Sequence, residues 1–403
     1  MSRTWNRIVI RGEDLDQAAL IASETFGVQR VEKIRPVSNA PLEEMSVAVA
    51  EASRDRVVGK TFAVRVRRRG GHAWTSLDAE RLIGSHLFPY AAGVDLIHPQ
   101  VTVQVYVQGD QTSLVEETLE GPDGLPLGVQ GRALTLISGG FDSAVAAWMI
   151  MRRGVPMDFL HFSLDCAQSE HATAVTYELV KRWGHGNQSF YHRIDFQPVK
   201  EALLKYVDSS LRQVVLKQFM VAVAELVLKS FGHLVLVTGE SVGQVSSQTI
   251  AHLAAIDCHC TTTILRPLSG FSKIEIINRS RLVGTHNLSA RAKEVCDLSD
   301  GPVAVAARRW ELNNAHGALP PDLIHSVLTS WKFIDINDWE PGCPMIPVLG
   351  ASPSDYTPVH AGKTPPPDEG PVALTGRKAA WAASKLHRAG REVCVIKEDP
   401  SLG

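Results

Sequence analysis

The residues best suited to chemistry form a short glycine-containing loop, Ser138-Gly-Gly-Phe-Asp-Ser143. A run typical of a buried strand, residues 133–137, precedes the loop, and a helical stretch from Asp142 to Arg153 follows it. Glycines let backbone N–H groups approach phosphate oxygens, hydroxyl groups add further donors, and a helix N-terminus favours negative charge. The pattern therefore predicts a phosphate-binding loop. An ordinary tight turn between a strand and a helix is the alternative.

This loop differs from a Walker A loop, because the Gly-Lys-[Ser/Thr] ending is absent. The spacing SGG-x-DS is instead typical of PP-loop enzymes, which cleave ATP between the α and β phosphates. Asp142 at the end of the loop is expected to help hold Mg²⁺ beside the phosphates. Capping of the helix is its alternative role.

A second polar loop strengthens the prediction of a nucleotide site. It runs from Gly239 to Gln248, after a strand-like run at Leu234–Thr238. Strands and helices alternate from Arg132 onwards, which predicts a parallel sheet covered by helices on both faces. Loops at the carboxyl ends of parallel strands are where such sheets bind ligands.

A cluster of basic residues, here called the basic island, lies in the N-terminal part of the chain. Its members are Arg54, Arg56, Lys60, Arg65, Arg67, Arg68 and Arg69, against the single acid Asp55. Phe62, Val64 and Val66 are predicted on one side of a strand, with Arg65 and Arg67 on the other. We expect nucleic-acid contacts to centre on the island, although a solvated face is the alternative.

The next helix is predicted over Ser76–Leu87, with Ser76 as its N-cap and Glu80 in its first turns.

Composition limits the classes of protein to which this chain can belong. The chain has 403 residues, of which 44% are hydrophobic and 21% charged, and this excludes a disordered polymer. Its six cysteines are too few and too scattered for a disulfide framework. No run is long and apolar enough to span a membrane, and no signal-peptide core follows Met1. A cytoplasmic protein with no membrane partner is expected.

Taken in order, several motifs resemble those of the tRNA 4-thiouridine synthetase (tRNA uridine 4-sulfurtransferase) family. They are SGGFDS, the Leu216-Lys217 helix, VTGE-x-x-GQVSSQT from Val237, Leu265-Arg-Pro-Leu and Lys273. The stretch from Gly59 to His72 and Ser76-Leu-Asp-Ala-Glu-Arg are similar to the RNA-binding THUMP domain of that family. The resemblance covers about residues 5–315.

The resemblance implies both a reaction and its residues. ATP would adenylate the C4 oxygen of a tRNA uridine, at position eight in this family, and persulfide sulfur would then displace AMP to give 4-thiouridine. The resemblance implies that ATP is contacted by Leu136, Ile137, Ser138, Gly139, Gly140, Ser143, Lys217, Gly239 and Gln248. Lys217 would act as a point charge on phosphate; a solvated lysine on an apolar helix is the alternative.

The resemblance also implies a catalytic cysteine and RNA-binding residues. Cys296 occupies the place of the cysteine that attacks or resolves the persulfide, although a lone cysteine is often a small buried hydrophobe. RNA contacts are carried onto Lys60, Arg65, Arg67, Arg68 and Arg69. The implied partners are tRNA and a cysteine desulfurase or other persulfide donor. The oligomeric state is left open, with a homodimer as the expectation.

The predicted fold class is a multidomain α+β then α/β chain. A ferredoxin-like domain (1–55) and a THUMP domain (56–120) would be followed by a PP-loop parallel sheet (121–315), similar to that of adenine nucleotide alpha hydrolases. A degenerate rhodanese-like piece (320–403) would close the chain.

The rhodanese-like piece departs from the family pattern. Thr375 and Gly376 stand where the family has a cysteine, so this module is expected not to relay sulfur, and a family link to thiamine thiazole synthesis is in doubt. Cys394 is predicted to pack inside.

Cys258-His-Cys260 offers an iron–sulfur ligand pair as an alternative, but this spacing is a weak metal signal, so no metal residues are assigned.

Two other functions remain open. One is a PP-loop ATPase that adenylates a different acceptor. The other is a tRNA-binding protein whose sulfur chemistry has decayed.

Overall fold

The chain divides into two compact units, Met1–Asp123 and Gly124–Gly403. In this computed structural model the described residues are 2–4, 7–38, 41–109, 111–258, 260–292, 298, 304–349, 357–360, 372–375, 379–388 and 392–396. The finer domain boundaries given above stay predictions. No helix within the described ranges is long and apolar enough to cross a membrane.

The first unit is a mixed sheet with helices. Its elements are β1 (Ser2–Thr4), β2 (Arg7–Val9), α1 (Leu15–Ser23), β3 (Arg30–Ser38), α2 (Leu42–Val57), β4 (Thr61–Arg69), α3 (Ser76–Leu87), β5 (Gly93–Val94), β6 (Val101–Gln108) and β7 (Gln111–Glu120). The larger sheet has the order β3-β7-β6-β4-β5, and β1 pairs with β2 alone. Strand β4 runs parallel to β5 and β6, whereas β7 is antiparallel to β6 and β3.

Alternation along β4 builds the core of this unit. Phe62, Val64 and Val66 are buried, as predicted, and pack with residues of α2 and α3 such as Val49 and Ile83. Burying an aliphatic or phenyl side chain contributes roughly 1.5–3 kcal/mol. The alternate positions therefore leave Arg65 and Arg67 on the opposite side of the strand.

The prediction that Ser76 caps α3 is wrong, because Thr75 is the N-cap. Thr75 has extended backbone angles, and its hydroxyl accepts from the Asp78 N–H at 3.2 Å while Asp78 accepts from the Thr75 N–H at 2.8 Å. This reciprocal pair needs an acid three residues after the cap, which Thr75 has and Ser76 lacks. Glu80 accepts from the Val66 N–H of β4 at 2.8 Å, at a position of β4 past its pairing with the short strand β5.

The second unit is an α/β sheet. Its elements are β8 (Ala133–Leu136), α4 (Phe141–Met151), β9 (Met157–Ser163), α5 (Cys166–Trp183), β10 (Phe190–Asp195), α6 (Gln197–Tyr206), α7 (Arg212–Phe231), β11 (Val235–Val237), α8 (Ile250–Asp257), β12 (Ile264–Leu265), α9 (Lys273–Val283), α10 (His286–Ser289), α11 (Arg309–Gly317), α12 (Leu323–Leu328), β13 (Lys332–Asp335), β14 (Ile346–Leu349), β15 (Thr357–His360), β16 (Val372–Thr375), α13 (Ala379–Arg388) and β17 (Val393–Ile396).

The sheet of this unit is mostly parallel. Its described strands follow the order β12-β11-β8-β9-β10-β13-β14-β17-β16-β15. Only the pairings of β13 with β10 and with β14 are antiparallel among them. A mixed sheet followed by a mostly parallel α/β sheet confirms the predicted fold class. The carboxyl ends of β8, β9 and β11 lie at one edge of the sheet, and the predicted phosphate loops start there.

The C-terminal strands extend this sheet. Strand β17 pairs with β14, and one apolar core includes both Leu134 of β8 and Leu374 of β16. The Arg388 guanidinium of α13 donates to the buried Asp335 carboxylate of β13 at 2.7 Å. The described strands β13, β14, β16 and β17 are thus part of the same sheet as β8, while the rhodanese-like character of this segment stays a prediction.

Truncation of Leu374 tests the shared core. Leu374 is 2% exposed, so Leu374→Ala is expected to destabilise the second unit by about 2–5 kcal/mol through the lost contacts and the cavity left behind. Lys332→Ala, at an exposed position of β13, is the control. Urea unfolding followed by tryptophan fluorescence measures both. A separate early transition, with the main transition unmoved, would show that the C-terminal strands fold independently.

Candidate active site

The predicted phosphate loop lies between β8 and α4. Gly140 is the N-cap of α4, and no side chain caps this helix. Gly139 has φ +80°, a region that favours glycine, and a Cβ there would stand 3.1 Å from the Ala172 Cα. The Ser138 N–H donates to the Ser143 hydroxyl at 3.2 Å, which closes the loop on itself. The first amides of α4 are left to bind an anion, as helix N-termini do.

The loop after β11 touches the first turn of α4. A Cβ on Gly239 would lie 2.6 Å from the Ser143 backbone nitrogen and 2.7 Å from the Asp142 carbonyl carbon. Real Cβ atoms do not approach backbone this closely, so only glycine permits the contact. The structure thereby brings together the two loops that sequence analysis had placed separately.

Asp142 connects α4 with α9 and with the loop after β11. Its carboxylate accepts from the Lys273 ammonium of α9 at 2.9 and 3.0 Å, and from the Gln244 side-chain amide at 3.0 Å. The alternative role for Asp142, helix capping, is excluded because Gly140 is the N-cap. Sequence analysis named Lys273 only as part of a motif and missed its pairing with Asp142, 131 residues away.

Lys217 belongs to a charge network centred on the buried Glu240. Its ammonium lies 3.7 Å from Glu240, which also accepts from the Arg266 guanidinium at 2.8 Å and the Thr238 hydroxyl at 3.0 Å. Burial would raise the pKa of the Glu240 carboxyl, but Lys217 and Arg266 outweigh that effect and hold the pKa below its usual range. Arg266 in turn pairs with Asp257. Lys217 is therefore directed toward the loop after β11, and is not merely a solvated lysine.

Gln248 closes that loop from the other end. Its side-chain carbonyl accepts from the Ser241 N–H at 3.2 Å, and its backbone carbonyl accepts from the Gly243 N–H at 2.9 Å. Gln248 is 8% exposed, so its main structural task is to fix the shape of the loop.

Sequence analysis missed His161 of β9. The ring Nδ1 is 2.9 Å from the Ile137 carbonyl, to which it donates, and burial lowers the pKa of His161 to about 4. The neutral ring leaves Nε2 as a buried acceptor that has no hydrogen-bond partner in the described part of the chain. A histidine inside the buried run MDFLHFS is the only sequence signal for this residue.

The basic island divides between the two sides of β4. Lys60, Arg67 and Arg69 are exposed, whereas the Arg65 guanidinium is half-buried and donates to the Leu96 carbonyl at 2.7 Å. Arg68 lies on the other side, with its guanidinium 5.8 Å from the Trp74 ring centre. No ion pair joins these five cations to any residue that the structure describes. Lys60, Arg67 and Arg69 of the island are thus available for phosphate.

Two family models match this chain. The model described as Thiamine biosynthesis protein (ThiI) matches residues 128–316, and the THUMP domain model matches residues 39–115. A tRNA sulfurtransferase of Escherichia coli O139:H28 is 38% identical over 342 residues, which cover 83% of this chain and 71% of that relative. The chain belongs to the tRNA sulfurtransferase family. The family predicted from sequence is therefore confirmed.

Further relatives agree with this family. A tRNA sulfurtransferase of Desulfurococcus amylolyticus is 38% identical over 317 residues, which cover 78% of this chain and 66% of that relative. The chain thus spans just under two thirds of the length of that relative. A solved structure of a 4-thiouridine synthetase–RNA complex with bound ATP has the same fold, with a TM-score of 0.70 at 24% identity, and the match covers 82% of this chain and 89% of that one.

The cysteines of this family member fall in different settings. Cys296 lies outside the described residues, as does His259 between the pair Cys258 and Cys260. Cys394 is fully buried, as predicted. Burial raises the pKa of the Cys260 thiol. No group of three metal-ligating side chains occurs in the described ranges.

Substitution of Gly239 tests the close contact in the site. Gly239→Ala forces its methyl group against the backbone of α4, and such overpacking costs about 1–3 kcal/mol. We expect weaker ATP binding by calorimetry and a lower Tm. Gly270→Ala is the matched control, because nothing lies within 4 Å of its added Cβ. Wild-type ATP affinity and Tm in Gly239→Ala would contradict the described contact.

The ionised state of Glu240 gives a pH-dependent prediction. Because its folded pKa lies below the ordinary 4.5, Glu240 stabilises the fold above that pH and loses the effect as the pH falls further. Glu240→Gln is expected to destabilise by about 3 kcal/mol at pH 7, since it breaks a buried ion pair. The difference from wild type should shrink below pH 4.5. Urea titrations at several pH values measure this, and a constant difference would refute it.

Proposed function

We propose that this protein is an ATP-dependent sulfurtransferase that converts a tRNA uridine, at position eight as in its family, to 4-thiouridine in the cytoplasm. The observation that carries the proposal is the joined pair of loops, in which the uncapped start of α4 meets Gly239 beside Lys217 and Lys273. This arrangement suits a polyphosphate chain, and family membership supplies the acceptor. Leu136, Ile137, Ser138, Gly139, Gly140 and Ser143 would contact ATP together with Lys217, Gly239 and Gln248.

In the first step the uridine O4 attacks the α-phosphorus, and pyrophosphate leaves. The amides at the start of α4 and the two lysines stabilise the negative charge that shifts onto the leaving oxygens. His161, held neutral, donates to the Ile137 carbonyl and so fixes the backbone directly before the phosphate loop. The product is an O4-adenylated base whose leaving group is AMP.

Asp142 is the residue that would hold Mg²⁺. Magnesium in nucleotide sites usually binds one or two carboxylates together with phosphate oxygens and water. Asp142 supplies one such carboxylate at the start of α4, whereas Glu240 is already engaged by two cations. When bound, the ion would neutralise phosphate charge, and Lys273 and Gln244 would keep the carboxylate in place.

In the second step a persulfide sulfur attacks C4 and AMP leaves. A second thiol then attacks the inner sulfur and forms a disulfide with the cysteine that carried the persulfide, so that the outer sulfur leaves with the bonding electrons and remains on the base as a thiocarbonyl. We assign the acceptor or resolving thiol to Cys296. Because Thr375 replaces the rhodanese cysteine, the sulfur would arrive from a separate cysteine desulfurase or other persulfide donor, and a thiazole-forming role is not part of the proposal.

The basic island would bind tRNA. Lys60, Arg65, Arg67, Arg68 and Arg69 form no described ion pair, so their charge is available to displace counterions from phosphate. A homodimer remains an expectation, and we assign no residue to its interface.

Two substitutions separate the two steps. Asp142→Asn is expected to abolish pyrophosphate release and 4-thiouridine together, because both lysine positioning and metal binding are lost. Cys296→Ser should keep pyrophosphate release and lose 4-thiouridine. Pyrophosphate is measured with an unmodified tRNA transcript, and thionucleoside by mass spectrometry with a persulfide donor.

Asp322→Asn and Cys258→Ser are the controls, since both residues are exposed. Loss of thionucleoside in Cys258→Ser would favour the iron–sulfur alternative. Wild-type protein that releases no pyrophosphate with tRNA would exclude the proposed function.

A further inference from the structure

A basic and aromatic corner of the second unit is not used by the proposed reaction. It consists of Arg308, Arg309 and Trp310 at the start of α11, here called the RRW corner. All three residues are exposed, and Trp310 is 58% exposed. Helix α11 packs through Leu312 and Ala315, both buried, so the corner faces away from the core.

Nothing in the described structure explains an exposed indole here. Trp310 makes no ring contact, and Arg308 and Arg309 form no ion pair, with any described residue. The adjacent acid, Glu311, is turned onto the backbone, where it accepts from the Arg308 N–H at 2.7 Å. One exposed apolar residue needs no explanation. Two guanidinium groups that form no ion pair with a described residue, beside an exposed tryptophan, are however the combination that binds phosphate and stacks bases.

The segment that carries the corner is fixed to the ATP loop. The Thr249 hydroxyl, directly after Gln248, donates to the Val305 carbonyl at 2.8 Å. His252 is fully buried and bridges the two segments. Its Nδ1–H donates to the Ser246 carbonyl at 2.7 Å, and its Nε2 accepts from the Ala307 N–H at 2.9 Å. The RRW corner is therefore attached through short hydrogen bonds to the loop that starts at Gly239.

We propose that the RRW corner is a second RNA-contacting surface, separate from the basic island and carried by the catalytic unit. Arg308 and Arg309 bind the sugar–phosphate backbone, and Trp310 stacks on an unpaired base. The inference rests on the proposed function for the identity of the RNA. RNA is favoured over a protein partner because both charged side chains of the corner are positive and any base can stack on the indole face. Its attachment to the ATP loop sets the RNA in a defined position relative to the reacting phosphates.

The test measures binding of an unmodified tRNA transcript over a range of salt concentrations. Arg308→Gln/Arg309→Gln is expected to lower the slope of log K against log salt by about 1.4–1.8, since each lost phosphate contact removes roughly 0.7–0.9. Trp310→Ala should weaken binding about tenfold, while Trp310→Phe, which keeps a stacking ring, should stay within about threefold of wild type. ATP affinity without RNA should not change in any of them.

Lys332 is an exposed cation of the same unit, and Lys332→Gln is the charge control. It should change the salt slope by no more than about 0.9, the contribution of one phosphate contact. Combining the corner variant with Arg67→Gln/Arg69→Gln should give additive losses of slope, because each pair of arginines would lose its own phosphate contacts.

Three results would overturn the inference. The first is an unchanged salt slope in the double arginine variant. The second is loss of ATP affinity without RNA, which would mean that the corner only supports the loop. The third is normal tRNA binding with impaired sulfur delivery from the persulfide donor, which would assign the corner to a protein partner. Failure of the proposed function is distinguishable, because wild-type protein would then make no 4-thiouridine whatever the corner variants do.

Discussion

The close approach of the Gly239 backbone to the first turn of α4 is the constraint on which the candidate active site depends. Strands β8 and β11 are parallel neighbours, and adjacent strands lie about 4.8 Å apart, so their carboxyl-end loops must run side by side. A side chain between them would separate the loops. With glycine at this position, the loop after β11 brings Glu240 and Gln244 to the edge of the phosphate loop, where they position Lys217 and Asp142.

The ion-paired charges around this contact are balanced within the described residues. Lys217, Arg266 and Lys273 face the carboxylates Glu240, Asp257 and Asp142, which gives three positive against three negative groups. In this cluster each cation lies within 4 Å of a carboxylate. The balance means that net attraction for a polyphosphate cannot come from the side chains alone. The amides and dipole of α4 must supply much of it, which is why an uncapped helix start matters here.

Sequence patterns predicted correctly those features that depend on residues close together in the chain. The glycine loop, the strand before it and the alternation of Phe62, Val64 and Val66 each depend on neighbours within a few residues, and these predictions agree with the structure. The N-cap of α3 was misplaced by one residue, because Ser76 and Thr75 both have hydroxyls and only the acid at Asp78 decides between them.

Pairings between distant residues could not be found in this way. Asp142 and Lys273 are 131 residues apart, and His161 lies on a different strand from the Ile137 carbonyl that it binds. Such contacts follow from strand order and from helix lengths, neither of which a local pattern contains. The same limit applies to the RRW corner, since the hydrogen bonds of Thr249 and His252 place the segment before it beside the loop that starts at Gly239.

The C-terminal strands bear on how sulfur reaches the site. A rhodanese module that delivers sulfur needs a thiol at the end of its strand and freedom to approach the acceptor. Here Thr375 stands at that position, Cys394 is fully buried, and β17 is hydrogen-bonded into the catalytic sheet through β14. A strand held by backbone hydrogen bonds and a shared core cannot swing without breaking both. Under the proposed function, the C-terminal strands therefore stabilise the sheet, and the persulfide must come from a separate protein.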